Sequence, residues 1–268
     1  MSTLGKSIRM KRLLNRTSGK LLDITLDHAI ARGVLPGMIN INETLAAVMQ
    51  VGPDALTMHK GIAQKCFEPY AGQCGLIIKC SSFSPFHKTF DTWVTEIDEA
   101  VRLGADAVSM GVIIGDEHQP EALRSFGLFV RQAELAGLPI ITHIYPRGNL
   151  IPPEERLTVE NIRYAARVGA ELGADIVKTE YTGSAESFHE VAVACPAMLV
   201  AAGGVDAKTD RDFLQKTKDV MDSGAAGVAY GRFVWQHPHP AKFMTALKMI
   251  IHEDAGTEEA VKYLTSEE

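Results

Sequence analysis

Lys178 closes the apolar run Ala174-Asp-Ile-Val-Lys178-Thr179, Asp27 closes Leu21-Leu-Asp-Ile-Thr-Leu-Asp27, and Tyr145 ends a run in which Ile141, His143 and Tyr145 share a face. A lysine at the end of a buried strand is poorly solvated, and partial desolvation lowers its pKa toward neutrality. The neutral amine attacks ketones and aldehydes, and the resulting iminium withdraws electrons from the adjacent carbon. Such a residue can make or break a carbon–carbon bond through a Schiff base. The plainer reading of Lys178 is an ammonium paired with Asp27 or Glu180.

Alternation along the first run puts Asp23, Thr25 and Asp27 on one face and Leu22, Ile24 and Leu26 on the other. Asp27 is then a carboxylate at the open end of the fold, its alternative role being loop capping. Pro146-Arg147-Gly148 turns the chain out after Tyr145, which leaves the phenol at the same rim. A phenol there serves as a proton donor or shuttle, or simply packs beside the turn. Lys79 and Lys60 are rival nucleophiles, and Lys79 is expected to contact substrate or to tune nearby charge. His28, His59 and His143 also stand near strand ends and with Asp27 could bind a divalent metal, although no pair shows an HxH or HExxH spacing.

Two glycine phrases come late, Ala201-Ala-Gly203-Gly204 and Gly231-Arg232. Paired glycines let backbone N–H groups approach an anion, and Arg232 adds a bidentate donor. The expectation is a phosphate site.

The elements that must position these groups announce themselves by a repeated phrase: Val51-Gly-Pro-Asp-Ala-Leu, Leu103-Gly-Ala-Asp-Ala-Val, Ala136-Gly-Leu-Pro-Ile-Ile, Leu172-Gly-Ala-Asp-Ile-Val and Ser223-Gly-Ala-Ala-Gly-Val. Each reads as a helix ending on glycine followed by a buried strand. Strands are expected near 21–27, 54–58, 75–80, 105–110, 138–145, 174–179, 197–202 and 226–230, with helices between. Eight βα units in a chain of 268 residues predict an α/β fold, a single (βα)8 TIM barrel, whose chemistry lies at the C-terminal strand ends. No Gly-rich dinucleotide turn of a doubly wound sheet is present.

Residues 1–20 are basic without an acidic residue, and Leu4, Ile8 and Leu14 fall near helical spacing. They read as a short N-terminal helix packed on a barrel end or a neighbouring subunit, with a transit peptide as the alternative. Residues 21–268 read as the catalytic barrel. A formal charge of −6 argues against nucleic acid and anionic membranes. No apolar run approaches the roughly 18 residues of a membrane span, and no secretory apolar block precedes Asp23. Cys66, Cys74, Cys80 and Cys195 form no CxxC pair, read as buried thiols, and suit a reducing, cytoplasmic setting.

Together, Asp27-His28, His59-Lys60-Gly61, Tyr145-Pro-Arg-Gly148, Gly173-Ala-Asp-Ile-Val-Lys178-Thr179, Ala202-Gly-Gly204 and Gly231-Arg232 resemble the DhnA-type class I aldolase family over nearly the whole chain. That family contains archaeal-type fructose-1,6-bisphosphate aldolases and transaldolase-like 2-amino-3,7-dideoxy-D-threo-hept-6-ulosonate synthases. The resemblance implies Lys178 as Schiff-base lysine, Tyr145 as proton-transfer residue and Asp27 as acid/base or orienting carboxylate. It implies phosphate binding by Gly203, Gly204, Gly231 and Arg232, and substrate contacts are further expected from His28, Lys79, His143 and Arg147. No cofactor or metal is then required. Two departures stand out: Ala29 follows Asp27-His28 where the family usually has glycine, and His143 replaces the tryptophan of the aldolases and the methionine of the synthases. The His59 phrase resembles the synthases, whereas Lys79 resembles the aldolases. The expected substrate is a small phosphorylated sugar, with fructose-1,6-bisphosphate as first candidate, and the expected assembly a homo-oligomer. The synthase reaction, a metal-dependent aldolase or isomerase, and a sugar-phosphate sensor without catalysis are the alternatives.

Overall fold

The structure, a computed structural model, describes residues 4–203 and 207–266. Its strands are β1 (Leu21–Thr25), β2 (Ala55–Met58), β3 (Gly75–Lys79), β4 (Ser81–Ser82), β5 (Thr92–Trp93), β6 (Ala107–Ile113), β7 (Ile140–Tyr145), β8 (Ile176–Thr179), β9 (Met198–Ala202) and β10 (Gly227–Tyr230). Its helices are α1 (Leu4–Leu13), α2 (His28–Arg32), α3 (Ile41–Met49), α4 (Lys60–Cys66), α5 (Ile97–Arg102), α6 (Gln119–Leu135), α7 (Val159–Glu171), α8 (Ala185–Ala194), α9 (Asp210–Asp222), α10 (Arg232–Trp235), α11 (Pro240–Glu253) and α12 (Thr257–Thr265). Eight parallel strands close in the order β1-β10-β9-β8-β7-β6-β3-β2, while β4 and β5 form a small antiparallel ladder outside the barrel. The chain is a single (βα)8 barrel, as its repeats predict.

The glycines of the repeated phrase, Gly52, Gly104, Gly137, Gly173 and Gly224, all have positive φ, which a residue with a Cβ resists just past a helix end. The aspartate that follows some of them has a second task. Asp54 Oδ2 accepts the Leu22 N–H at 2.7 Å, Asp106 Oδ2 accepts that of Leu76 at 3.1 Å, and Asp175 Oδ2 accepts that of Ile140 at 2.9 Å. Each carboxylate thus ties the start of its strand to the neighbouring one and caps a donor that the ladder leaves over.

Strand alternation sorts the lumen into two halves. Leu21, Ala55, Ile77, Ala107, Ile141, Ile176, Val200 and Ala229 pack together at the N-terminal end, with Leu13 of α1 buried among them. Two residues further along six of these strands come Asp23, Thr57, Lys79, Ser109, His143 and Lys178, all buried. The barrel is therefore apolar at its base and polar toward its C-terminal mouth.

The packing face of α1 differs from the one its spacing suggests. Leu4 and Ile8 are 77% and 44% exposed, and the residues that meet the barrel are Leu13 with Met10 and Leu14. Polar anchors fix the helix instead, Lys6 to Asp175 at 2.8 Å and Arg9 to the Gly137 carbonyl at 3.0 Å. Trp235 is buried and donates to the Thr25 carbonyl at 3.1 Å. Cys66, Cys80 and Cys195 are buried, but Cys74 is only partly so.

Candidate active site

A cavity of about 470 Å³ opens at the C-terminal mouth, lined by Asp27, His28, Lys79, His143, Tyr145, Arg147, Lys178, Gly203, Gly231 and Arg232 among others. Of the residues named from the sequence as catalytic, substrate-binding or phosphate-binding, all line it except Gly204, which lies outside the described residues; the rival nucleophile Lys60 and the possible metal ligand His59 do not line it. A larger groove of about 1100 Å³ lies at the opposite end, between the C-terminus of α1 and the loops around Asp54 and Asp106. It holds none of the reactive groups.

Lys178 sits on β8 opposite His143 of β7 in the strand register and is 5% exposed. Burial pulls the ammonium pKa down, and Asp27 and Asp23 resist that fall. Among the described residues it has no hydrogen bond or ion pair. Glu180, one of the partners considered for it, instead takes the Nε–H of Arg147 at 2.8 Å and an Nη2 bond besides. Lys178 is therefore buried, lines the cavity and has no ion-pair or hydrogen-bond partner among the described residues, a setting that favours loss of its proton.

Lys79 is placed differently. Its Nζ donates to Ser81 Oγ at 2.7 Å and lies 3.7 Å from Asp91 Oδ1, so its charge is compensated. Asp91 arrives from the loop that returns through β5, and its carboxylate lies over Gly111, where a Cβ would come within 2.0 Å of Oδ2. Lys60 points away and pairs with Glu99 at 2.8 Å.

Asp27 follows β1 and precedes α2. Burial opposes its ionisation, but His28, His143 and Lys178 outweigh burial and hold the carboxyl well below the usual range. Its Oδ1 lies 3.5 Å from His28 Nδ1 and its Oδ2 3.9 Å from His143 Nδ1. Burial lowers the pKa of His28 to about 4 and that of His143 well below its ordinary value, in the latter case helped by Lys178 and Lys79. Both rings are thus neutral near pH 7. His59 sits just behind the cavity wall, where its Nδ1–H donates to the Lys79 carbonyl at 3.0 Å. Although these histidines gather near Asp27, no group of three or more His, Cys, Asp or Glu among the described residues is arranged to hold a metal ion. The metal-dependent alternative lacks a ligand set there.

Tyr145 is 9% exposed, and the Arg147 guanidinium covers its ring at 4.3 Å. Burial raises the phenol pKa, with Arg147 opposing. Arg147, expected to contact substrate, thus spends much of its donor fork on Glu180 and its face on Tyr145. Across the mouth stand Arg32 and Arg232, whose guanidinium pKa values are depressed by burial and then by neighbouring cations, Arg232 and Arg147 for Arg32 and Arg147 for Arg232. Such repulsion between cations marks a place where an anion is welcome. Gly231 permits the wall to close there, since a Cβ on it would meet His28 Cε1 at 2.5 Å and Thr25 Oγ1 at 2.9 Å. The Gly203 N–H donates to the Ala229 carbonyl at 3.4 Å, a long bond that a stronger acceptor can displace.

Sequence reasoning did not single out Asp23, Arg32 or Asp91. Asp23 is buried on β1 with Thr57 Oγ1 donating to its oxygens at 3.0 and 2.8 Å, and burial raises its pKa to about 7 against the pull of Lys178. Its alternation with Thr25 and Asp27 was the available signal. Asp91 gave none, because no periodicity runs through its loop.

The family model described as DeoC/LacD family aldolase matches residues 21–237. A 2-amino-3,7-dideoxy-D-threo-hept-6-ulosonate synthase from Halobacterium salinarum is 35% identical over 263 residues, 97% of this chain and 97% of that protein. A class 1 fructose-bisphosphate aldolase from the same species is 32% identical over 257 residues, 91% of this chain and 94% of that one. Among solved structures, an archaeal fructose-1,6-bisphosphate aldolase with its catalytic Lys covalently bound to the carbinolamine intermediate superposes with a TM-score of 0.84 at 28% identity, covering 92% of this chain and 99% of that chain.

Proposed function

Since the chain belongs to the DeoC/LacD family of aldolases, we propose that Lys178 is its Schiff-base nucleophile and a phosphorylated ketose its substrate. The chemistry is that of a class I aldolase, a carbon–carbon lyase working through a lysine imine. One observation carries the residue assignment: Lys178 is buried, lines the cavity and has no ion-pair partner among the described residues, whereas Lys79 is held by Ser81 and Asp91. The ketose carbonyl condenses with the Lys178 amine, and Tyr145 and Asp27 handle the protons around the carbinolamine. Gly203, Gly204, Gly231 and Arg232, aided by Arg32, bind the phosphate, which fixes the reacting carbons against Lys178. His28, Lys79 and Arg147 complete the substrate surroundings. No metal or organic cofactor enters.

Fructose-1,6-bisphosphate is the first candidate substrate. The synthase reaction is the second reading, and the 35% identity to a synthase over 97% of the chain favours it. A cytoplasmic homo-oligomer, with residues 1–20 as a helical extension of the catalytic barrel, completes the reading. Its test is borohydride reduction during incubation with a panel of phosphorylated ketoses, fructose-1,6-bisphosphate among them, followed by peptide mapping. Irreversible label on the Lys178 peptide is expected, and label on Lys79 or none at all overturns the assignment. The same panel, run in condensation with different acceptor aldehydes, separates cleavage from transaldol transfer.

A further inference from the structure

We propose that His143 is a catalytic residue: its Nε2 takes the proton of the substrate hydroxyl as the carbon–carbon bond breaks and hands it to the enamine carbon afterwards. The inference rests on Lys178 as the Schiff-base lysine and adds the group that moves the proton in the bond-breaking step. The imidazole lines the cavity and is 5% exposed, on the strand position registered with Lys178. Its two nitrogens face different surroundings. Nδ1 lies 3.9 Å from Asp27 Oδ2, and Nε2 is buried without a hydrogen-bond partner among the described residues. A buried ring nitrogen left unpaired is destabilising unless something else in the working protein uses it. With its proton on Nδ1, toward the carboxylate, the ring keeps the Nε2 lone pair free as a base. His59 also has an unpaired Nε2, but that ring does not line the cavity.

The step balances. The hydroxyl O–H bond breaks and its proton goes to Nε2, while the O–H electron pair becomes the second bond of the new carbonyl. The carbon–carbon pair moves into the iminium on Lys178 and leaves a neutral enamine. One positive charge has passed from Lys178 to His143. The neighbouring positions explain why the transfer runs: while Lys178 carries the iminium, its charge keeps the imidazole neutral, and when that charge collapses, Asp27 is free to stabilise the imidazolium. The enamine carbon then takes the proton back, which restores the iminium for hydrolysis. Tyr145, two residues nearer the rim and with its phenol pKa raised by burial, is left to the carbinolamine. The groups facing the ring are Lys178 of β8, Lys79 of β3, Asp27, and His28 of α2. From β6 come the uncharged Ser109 and Gly111, the latter with Asp91 seated on it.

The test compares wild type with His143→Gln and Tyr145→Phe, using the ketose from the panel that wild type cleaves. It measures borohydride trapping at Lys178, single-turnover cleavage, and solvent-deuterium incorporation into the ketone product. His143→Gln is expected to keep the trap at Lys178 while cleavage and deuterium incorporation fall about a hundredfold or more, the usual loss for a general base. Should the glutamine variant not fold, His143→Asn gives the same reading. Cleavage and incorporation within about threefold of wild type overturn the proposal, as does their loss in Tyr145→Phe alone. Loss of the trap together with cleavage in a folded variant also overturns it, because His143 would then build the site and not move the proton. Wild type that traps at another lysine, or nowhere, fails the Lys178 assignment itself, a different outcome from any of these.

Discussion

Asp23 and Lys178 share the polar half of the lumen, and each changes the other's ionisation. An ionised Asp23 supports the Lys178 ammonium, whereas a neutral amide at that place does not. Asp23→Asn should therefore shift the acid limb of the kcat/KM profile toward lower pH, because Lys178 then loses its proton sooner. The same carboxyl makes a second prediction, on stability. Its folded pKa of about 7 lies above the value of 3.8 for a free aspartate, so its stabilisation is complete below the lower value and disappears as pH rises through the upper one. Wild type should lose Tm relative to Asp23→Asn between those two values, and parallel Tm curves would rule out the buried acid. Asn retains the bond with Thr57, which isolates the charge as the variable. What could be seen in the sequence at this scale was parity: His143, Tyr145 and Lys178 fall on lumen faces because a strand alternates strictly, and Asp27, just past the end of β1, lines the same cavity. The pairing of Arg147 with Glu180 could not be seen, since those residues lie 33 positions apart and only the parallel pairing of β7 with β8 brings their strand ends together.

Among the elements, the turn from β10 into α10 is the one where backbone and site are least separable. At Gly231, whose φ is −139°, the lack of a side chain matters through space. His28 and Thr25 already occupy the position of a Cβ. Gly231→Ala should push the His28 ring off Trp235, against which it packs edge-on at 5.5 Å, and tilt Arg232 away from the phosphate. A destabilisation of about 1–3 kcal/mol is expected from overpacking, with KM for the phosphorylated substrate rising more than kcat falls. Thermal unfolding and steady-state kinetics on the same preparation check both. The eight barrel strands were legible because helix-ending glycines punctuate buried runs of β-rich sequence. The ladder of β4 and β5 was not: two-residue strands carry no period, and their pairing depends on the excursion that delivers Asp91 to Lys79. The packing face of α1 was misread for a related reason. Apolar spacing marks a stripe but does not say that Lys6 and Arg9 are anchored to the barrel floor while Leu4 stays outside.

The whole barrel divides its labour along its axis. Residues that close the base are apolar and interlocked, while at the mouth Lys79 is compensated by Asp91 and Arg147 by Glu180, and the amine that must react has no such partner among the described residues. Stability and chemistry are then carried by different layers, which lets a barrel hold a buried lysine that has no ion-pair partner among the described residues without unfolding. Leu13 is the sharpest probe of that division. It is fully buried, contributed by a helix outside the barrel, and its Cδ2 lies where a Cβ on Gly75 would approach within 2.8 Å. Truncation to alanine removes a packed side chain from a layer whose other members sit on strands and cannot move in to fill the gap. Leu13→Ala should lower stability by about 2–5 kcal/mol. Lys178 stands one layer further up the lumen, so kcat per folded molecule should stay unchanged well below the new Tm. Denaturant unfolding alongside turnover at low temperature measures both quantities. A fall in kcat matching the fall in stability would mean that the base of the barrel sets the geometry of the mouth, and that the two layers act as one.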